Sequence, residues 1–170
     1  MNISAIAKFS TVDAVGDYAL ANAIISPLFA LFSLNLRAAI VTDVADQFQY
    51  KEYFTTQILM SSLCAIVILV VTLLQATTYE FVATMSFLTA AKIAESFCDI
   101  RNALSQKLDN MKPIAVSMGL RGVMGFVFLS FGLWATGSLP IGLACLATAW
   151  IAVYYFYDKK TSRSHLVETD

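Results

Sequence analysis

The sequence predicts an all-α polytopic transmembrane bundle of about five membrane-spanning helices. Two features of composition and one of pattern carry this expectation. Of 170 residues, 58 % are hydrophobic and only 14 % are charged, whereas a soluble domain carries about 25 % charge. The mean hydropathy is +0.70. The apolar residues gather into stretches of the roughly 20 residues that a helix needs to cross a hydrocarbon core of about 30 Å. A net charge of −1 gives no global field for nucleic acid, and no nucleic-acid partner is expected. Cys64, Cys98 and Cys145 stand far apart and His165 is the only histidine, which argues against a disulfide framework or a zinc site. No cofactor and no metal are expected. The N-terminus lacks the pattern of a cleavable signal peptide.

The spans follow in order. The first, about 17–40, reads "DYALANAIISPLFALFSLNLRAAI". Pro27 sits in its middle, where it removes one backbone donor and predicts a kink. Asn22, Ser26, Ser33 and Asn35 add polarity, either as interhelical hydrogen-bonding groups or as the wall of a cavity. The second span, about 55–77, is the most apolar. The third, about 80–100, is the most unusual, because "AAKIAESFCDIR" places Lys92, Glu95, Asp99 and Arg101 in an apolar helix. The fourth, about 113–135, carries Gly119, Gly122 and Gly125, a spacing suited to close helix approach in lipid. The fifth, about 139–157, ends in an aromatic run. Residues 1–157 thus read as a single transmembrane bundle and 158–170 as a polar cytoplasmic tail.

The connections alternate in charge. "TTYE" (77–80) and "TGSL" (136–139) hold no Lys or Arg. The segments 42–54, 101–112 and 158–170 hold Lys51, Arg101, Lys107, Lys112, Lys159, Lys160 and Arg163, seven against the single Lys8 of the opposite side. The positive-inside rule puts those three segments, and the C-terminus, in the cytoplasm. The N-terminus then falls outside, which reads as if an earlier helix were missing and the chain were part of something larger.

Five side chains are the candidates for a functional cavity: Arg37, Lys92, Glu95, Asp99 and Arg121. Lys92, Glu95 and Asp99 are spaced i, i+3, i+7 and share one helix face. A charge at mid-bilayer costs about 2.5–3.5 kcal/mol even on the lenient insertion scale, so this face is turned to protein or water. It forms either an ion-pair network or a polar path for a substrate or coupling ion. Arg37 and Arg121 are placed near the cytoplasmic boundary, where each either snorkels to the headgroups or faces an inward cavity. Arg37 also has Asp43 or another carboxylate as a prospective partner. No catalytic residue is assigned.

Two stretches resemble a known family. "LNLRAAIVTDVADQFQYKEYF", with Leu36, Arg37, Thr42, Asp43 and Tyr53, resembles the second-to-third helix segment of polysaccharide and O-antigen flippases of the multidrug/oligosaccharidyl-lipid/polysaccharide exporter superfamily. "AKIAESFCDIRNALSQKLDNMKPIAVSMGLRG", with Glu95, Ser96, Asp99, Gln106, Met111, Ser117, Arg121 and Gly122, is similar to the family's fourth-to-fifth helix junction, although "RNAL" replaces its usual Gly-containing loop. The resemblance implies helices two to six of an N-terminal lobe, covering roughly residues 12–157. It further implies alternating access about a central site in a bacterial inner membrane. The substrate it implies is an undecaprenyl-pyrophosphate-linked glycan, with the first helix and second lobe missing or supplied by another chain. By itself this chain would be incomplete. A pyrophosphate needs cations facing a wet cavity, which singles out Arg37 and Arg121. A drug or small-solute exporter of the same superfamily and a small accessory membrane protein are the alternatives. A transferase acting on a lipid diphosphate would use Glu95, Asp99 and Asp109 to hold Mg²⁺, but its paired-acid motifs are absent, and no enzyme activity is expected.

Overall fold

The computed structural model describes residues 6–8, 12–33, 36–42, 50–75, 78–107 and 111–158. Every element is helical: α1 (Val12–Phe32), α2 (Leu36–Thr42), α3 (Tyr50–Gln75), α4 (Tyr79–Lys107), α5 (Met111–Thr136) and α6 (Leu139–Val153), the last running on into a π-helical turn at Tyr154–Asp158. Five of the resulting spans are long and apolar enough to cross a membrane. α1 and α2 together make the first of them, Val12–Thr42. Asn35, Asp43, Asp109, His165 and residues 159–170 lie outside the described residues.

The bundle is organised by narrow buried stripes. On α1 the buried residues are Tyr18, Ala21, Ile25 and Phe29, and on α5 they are Ile114, Ser117, Arg121, Gly125, Leu129, Gly132 and Leu133. Apart from the adjacent Gly132 and Leu133, both sets step by three or four residues, so each helix commits one face to its neighbours. The other faces are as apolar as the core: Leu74 is 81 % exposed, Trp134 72 % and Phe131 63 %. Helices hydrophobic all round, with large aliphatic and aromatic side chains outside, suit hydrocarbon as solvent rather than water.

The main core joins Ile25 and Phe29 of α1, Cys64 and Ile68 of α3, Met85 of α4, Leu129 and Leu133 of α5 and Leu143 of α6. A smaller cluster, Ile40, Ile100 and Ala103, ties α2 to the far end of α4. α6 is the central stave, packed on both α5 and α4, whereas α4 and α5 touch each other little. That sparse contact leaves space between them, and the candidate site lies there.

Pro27 lies inside α1, and the glycines of α5 divide into two sets. α1 runs as one helix through Pro27 and stops only at Ser33, where Ser33 N–H donates to the Phe29 carbonyl at 2.8 Å and Leu36 N–H to the Ser33 carbonyl at 2.9 Å. A single lost donor at Pro27 is tolerated, and the break comes where polar Ser33 caps carbonyls locally, its Oγ donating to Ala30 O at 3.0 Å. The glycine spacing of α5 is only partly used for close approach. A Cβ on Gly125 would come within 2.7 Å of Trp150 Nε1, and one on Gly132 within 3.0 Å of Gly142 Cα. Gly119 and Gly122 meet nothing within 4 Å, because α6 crosses α5 along its Gly125–Gly132 half.

The α5–α6 connection turns on Gly137, at φ +64°. Its N–H donates to the Leu133 carbonyl at 2.8 Å, closing the helix end with a left-handed cap. A Cβ here meets no neighbour, so the whole effect of Gly137→Ala is conformational. That variant is expected to lose about 1–2 kcal/mol, read as a lower midpoint of unfolding in detergent micelles, with Gly137→Asn losing less.

Candidate functional site

The site is assembled on α4. Its first charged residue in the apolar run, Lys92, donates from Nζ to Glu95 Oε2 at 2.8 Å one turn along. Asp99, one turn further, leaves that helix for a partner: Arg121 of α5 donates from Nη1 and Nη2 to Asp99 Oδ1 at 3.4 and 3.3 Å. The pair is asymmetric, with the Arg121 side chain 9 % exposed and that of Asp99 40 %. Asp99 stands at the mouth and Arg121 is the buried partner. Among the described residues Arg121 Nε has no hydrogen-bond partner, so the guanidinium has donor capacity that Asp99 does not use.

Arg121 stands nearly three turns into its helix, with its side chain buried. α5 starts at Met111, with Pro113 tolerated in its first turn. At 1.5 Å per residue Arg121 is about 15 Å along the axis, near the middle of the helix. Snorkelling does not describe it. A buried arginine at that depth requires an acid or water, and Asp99 supplies the acid.

Arg37 lies in the first turn of α2, and its prospective partner Asp43 lies outside the described residues. Among the described residues its side chain meets an amide: Nη2 donates to Gln106 Oε1 at 3.1 Å, bridging α2 to the last turn of α4. Among the described residues no contact ion compensates the Arg37 charge.

Two cavities flank the acids. One, of about 360 Å³, is lined by Arg37, Glu95, Asp99, Arg121, Gly122 and Trp150 among others. The second, of about 250 Å³, is lined by Ser26, Phe29, Ala30 and Ser33 of α1 and by Lys92, Glu95, Ser96 and Asp99 of α4. Glu95 and Asp99 belong to both, so the cavities form one trough along the charged face of α4. The five candidates named from sequence all line it. With three cations and two acids, the trough carries a formal charge of +1. The polarity of α1 also belongs here, but as a cavity wall: Ser26 Oγ donates to Asn22 Oδ1 at 3.0 Å within its own helix rather than across to a neighbour.

Sequence reasoning missed the back wall. Trp150 Nε1 donates to the Arg121 carbonyl at 3.3 Å, and the indole occupies the space that Gly125 leaves one turn along α5. Trp150 thereby holds the backbone that carries Arg121 (Nε1 has no alternative use in an apolar helix). A glycine one turn after an arginine is a weak signal of such a wall, and nothing in a single sequence pairs it with Trp150. Among the described residues no group of three or more His, Cys, Asp or Glu is placed to hold a metal ion.

No protein-family model and no solved structure matches the chain. It is 22 % identical over 160 residues to a protein named capsular polysaccharide biosynthesis protein CapF, from Staphylococcus aureus. The alignment covers 91 % of this chain and 38 % of that protein, so the chain spans well under half the length of this relative. The similarity gives a link to polysaccharide biosynthesis.

The Asp99–Arg121 pair is open to a double-mutant cycle. Asp99→Asn strands the buried guanidinium and is expected to destabilise by about 1–3 kcal/mol. Arg121→Met removes the stranded charge, so the double variant is expected to recover most of that loss. Thermal unfolding in micelles reads all three. Glu95→Gln, at a half-exposed pair within one helix, is expected to change stability by less than about 0.5 kcal/mol.

Proposed function

We propose that the chain is part of a lipid-linked oligosaccharide flippase of cell-envelope polysaccharide biosynthesis, working by alternating access in a bacterial inner membrane. The observation that carries this reading is the charged trough held in an apolar bundle, where Arg121 and Arg37 face one cavity together with Glu95 and Asp99. The similarity to a protein named for capsular polysaccharide biosynthesis supports it.

The physical argument concerns charge transfer through hydrocarbon. A pyrophosphate headgroup crosses a bilayer only where its charge is met and its glycan remains hydrated. Arg37, balanced by an amide, and Arg121, with Nε unengaged, are the groups with capacity to meet it. Asp99 holds Arg121 in place until a phosphate oxygen competes for the same donors. Lys92 and Glu95 keep the adjoining part of the trough polar without adding net charge. A cavity of about 360 Å³ accommodates a diphosphate and one sugar, so the rest of the glycan is enclosed by helices beyond this chain, in the same polypeptide or another. Lys51 stands one turn before Phe54 and Arg101 lies over the Tyr154 ring, at the end of the bundle where Phe54, Phe97 and Tyr154 meet at ring separations of 5.7 and 6.3 Å. In this reading that end is cytoplasmic.

The reading is tested by complementing a flippase-deficient strain with this segment, alone and together with the remaining helices of the longer protein. Export is expected only with the complete set, and Arg37→Ala or Arg121→Ala is expected to lower it by about tenfold, the loss of one charge-assisted contact of about 1.4 kcal/mol. Absence of export from both the segment and the complete set, or full export by both arginine variants, defeats the proposal. Cysteine labelling from each side of the membrane checks the orientation, with residues 51 and 112 expected to react from the cytoplasm.

A further inference from the structure

A second face of α4 lines another hollow. At about 100° per residue, Ala90, Ala94, Phe97 and Arg101 fall on one side of the helix, roughly 180° from Lys92, Glu95 and Asp99. Ala90, Ala94 and Phe97 of that side floor a different hollow, of about 450 Å³, walled by Phe54 and Ile58 of α3 and by Ile151, Tyr154 and Tyr155 of α6 and its π-helical turn. The hollow opens on the apolar exterior, where Ile58 is 44 % and Ile151 41 % exposed.

The hollow is graded along its length. Its deep part is aliphatic. Its upper part is an aromatic collar in which Phe54, Phe97, Tyr154 and Tyr155 stand at successive ring separations of 5.7, 6.3 and 5.5 Å. Above the collar, the Arg101 guanidinium lies 4.9 Å over the Tyr154 ring, which orients the cation at the rim. Exposed Lys51 stands in the first turn of α3, one turn before Phe54. Such an order, cation then aromatics then aliphatic side chains, follows the polarity gradient of a membrane interface. A π-helical turn at one wall, where the regular helix is locally widened, is a common mark of a binding site.

We infer that this hollow is a binding site for one phospholipid with an anionic headgroup. Arg101 meets the phosphate, the collar grips the glycerol region and the aliphatic floor takes an acyl chain. Length selects a phospholipid over a polyprenyl phosphate. From Arg101 to Ala90 the helix rises about 16 Å, the depth of one leaflet of a core of about 30 Å, which fits a single acyl chain and is short for a polyprenyl tail. The site lies across α4 from the charged trough and does not depend on what the trough transports.

The test is native mass spectrometry of the purified chain in detergent, with phosphatidylglycerol and phosphatidylcholine of identical acyl chains added in equal amounts. One retained phosphatidylglycerol per chain is expected, favoured about fivefold, the factor that one basic side chain contributes at a headgroup. Arg101→Gln is expected to abolish the preference while total bound lipid is unchanged. Ala90→Phe fills the floor and is expected to release both lipids, and Tyr155→Ser, at an exposed position that folding tolerates, is expected to weaken both. Equal retention of the two lipids, a preference that survives Arg101→Gln, or full retention by both Ala90→Phe and Tyr155→Ser overturns the assignment. Displacement of phosphatidylglycerol by an equal amount of polyprenyl phosphate overturns the choice of a phospholipid.

Discussion

The architecture depends on how an arginine is kept in the middle of an apolar helix. Arg121 cannot be solvated by hydrocarbon, and its side chain is buried within the bundle. It is therefore held against Asp99, with its backbone carbonyl fixed by Trp150. This requirement sets the separation of α4 and α5. Two helices joined by an ion pair across a gap cannot also interdigitate aliphatic side chains there, so the space between them stays open and polar. The ion pair is long for a charge-assisted contact and uses one carboxylate oxygen. Such a pair offsets a desolvation penalty rather than adding much stability, and for that reason it is suited to exchanging partners.

Close packing elsewhere compensates for the gap. Where α5 meets α6, Gly132 faces the Gly142 backbone and Gly125 faces Trp150, and with no Cβ on the glycine the two helices approach nearly backbone to backbone. In lipid, where burial of apolar surface provides no hydrophobic drive between helices, this contact and its dispersion energy hold the bundle. At the other half of α5, a Cβ on Gly119 or Gly122 would meet nothing, and Gly122 leaves space in the trough instead. One helix thus uses glycine for adhesion along one half and for space along the other, and the crossing point of α6 decides which.

α4 separates two environments. One face carries acids and a lysine into the trough, and the opposite face carries small and aromatic residues into an apolar hollow. Its low average hydropathy for a membrane helix results from this division. A helix with a solvated stripe and a greasy stripe is amphipathic in the ordinary sense, with the difference that its polar side faces the inside of the bundle.

Much of this was legible in the residues. The all-α class, the number of spans and their approximate limits follow from the length of apolar runs, because the thickness of hydrocarbon dictates the length of a helix. The turning of Lys92, Glu95 and Asp99 away from lipid follows from helical periodicity and the cost of charge. What could not be read is which groups meet. Nothing local pairs Asp99 with Arg121 across 22 positions, Arg37 with Gln106 across 69, or Trp150 with the Arg121 carbonyl across 29. Those partnerships depend on the crossing of α6 over α5 and on the packing of α2 against α4. The sequence alone determined that these charges need an interior, because the energetic penalty is a property of each residue. Only the tertiary structure decided where that interior lies, since a cavity is defined by helices that are distant in the chain and its walls are set by packing.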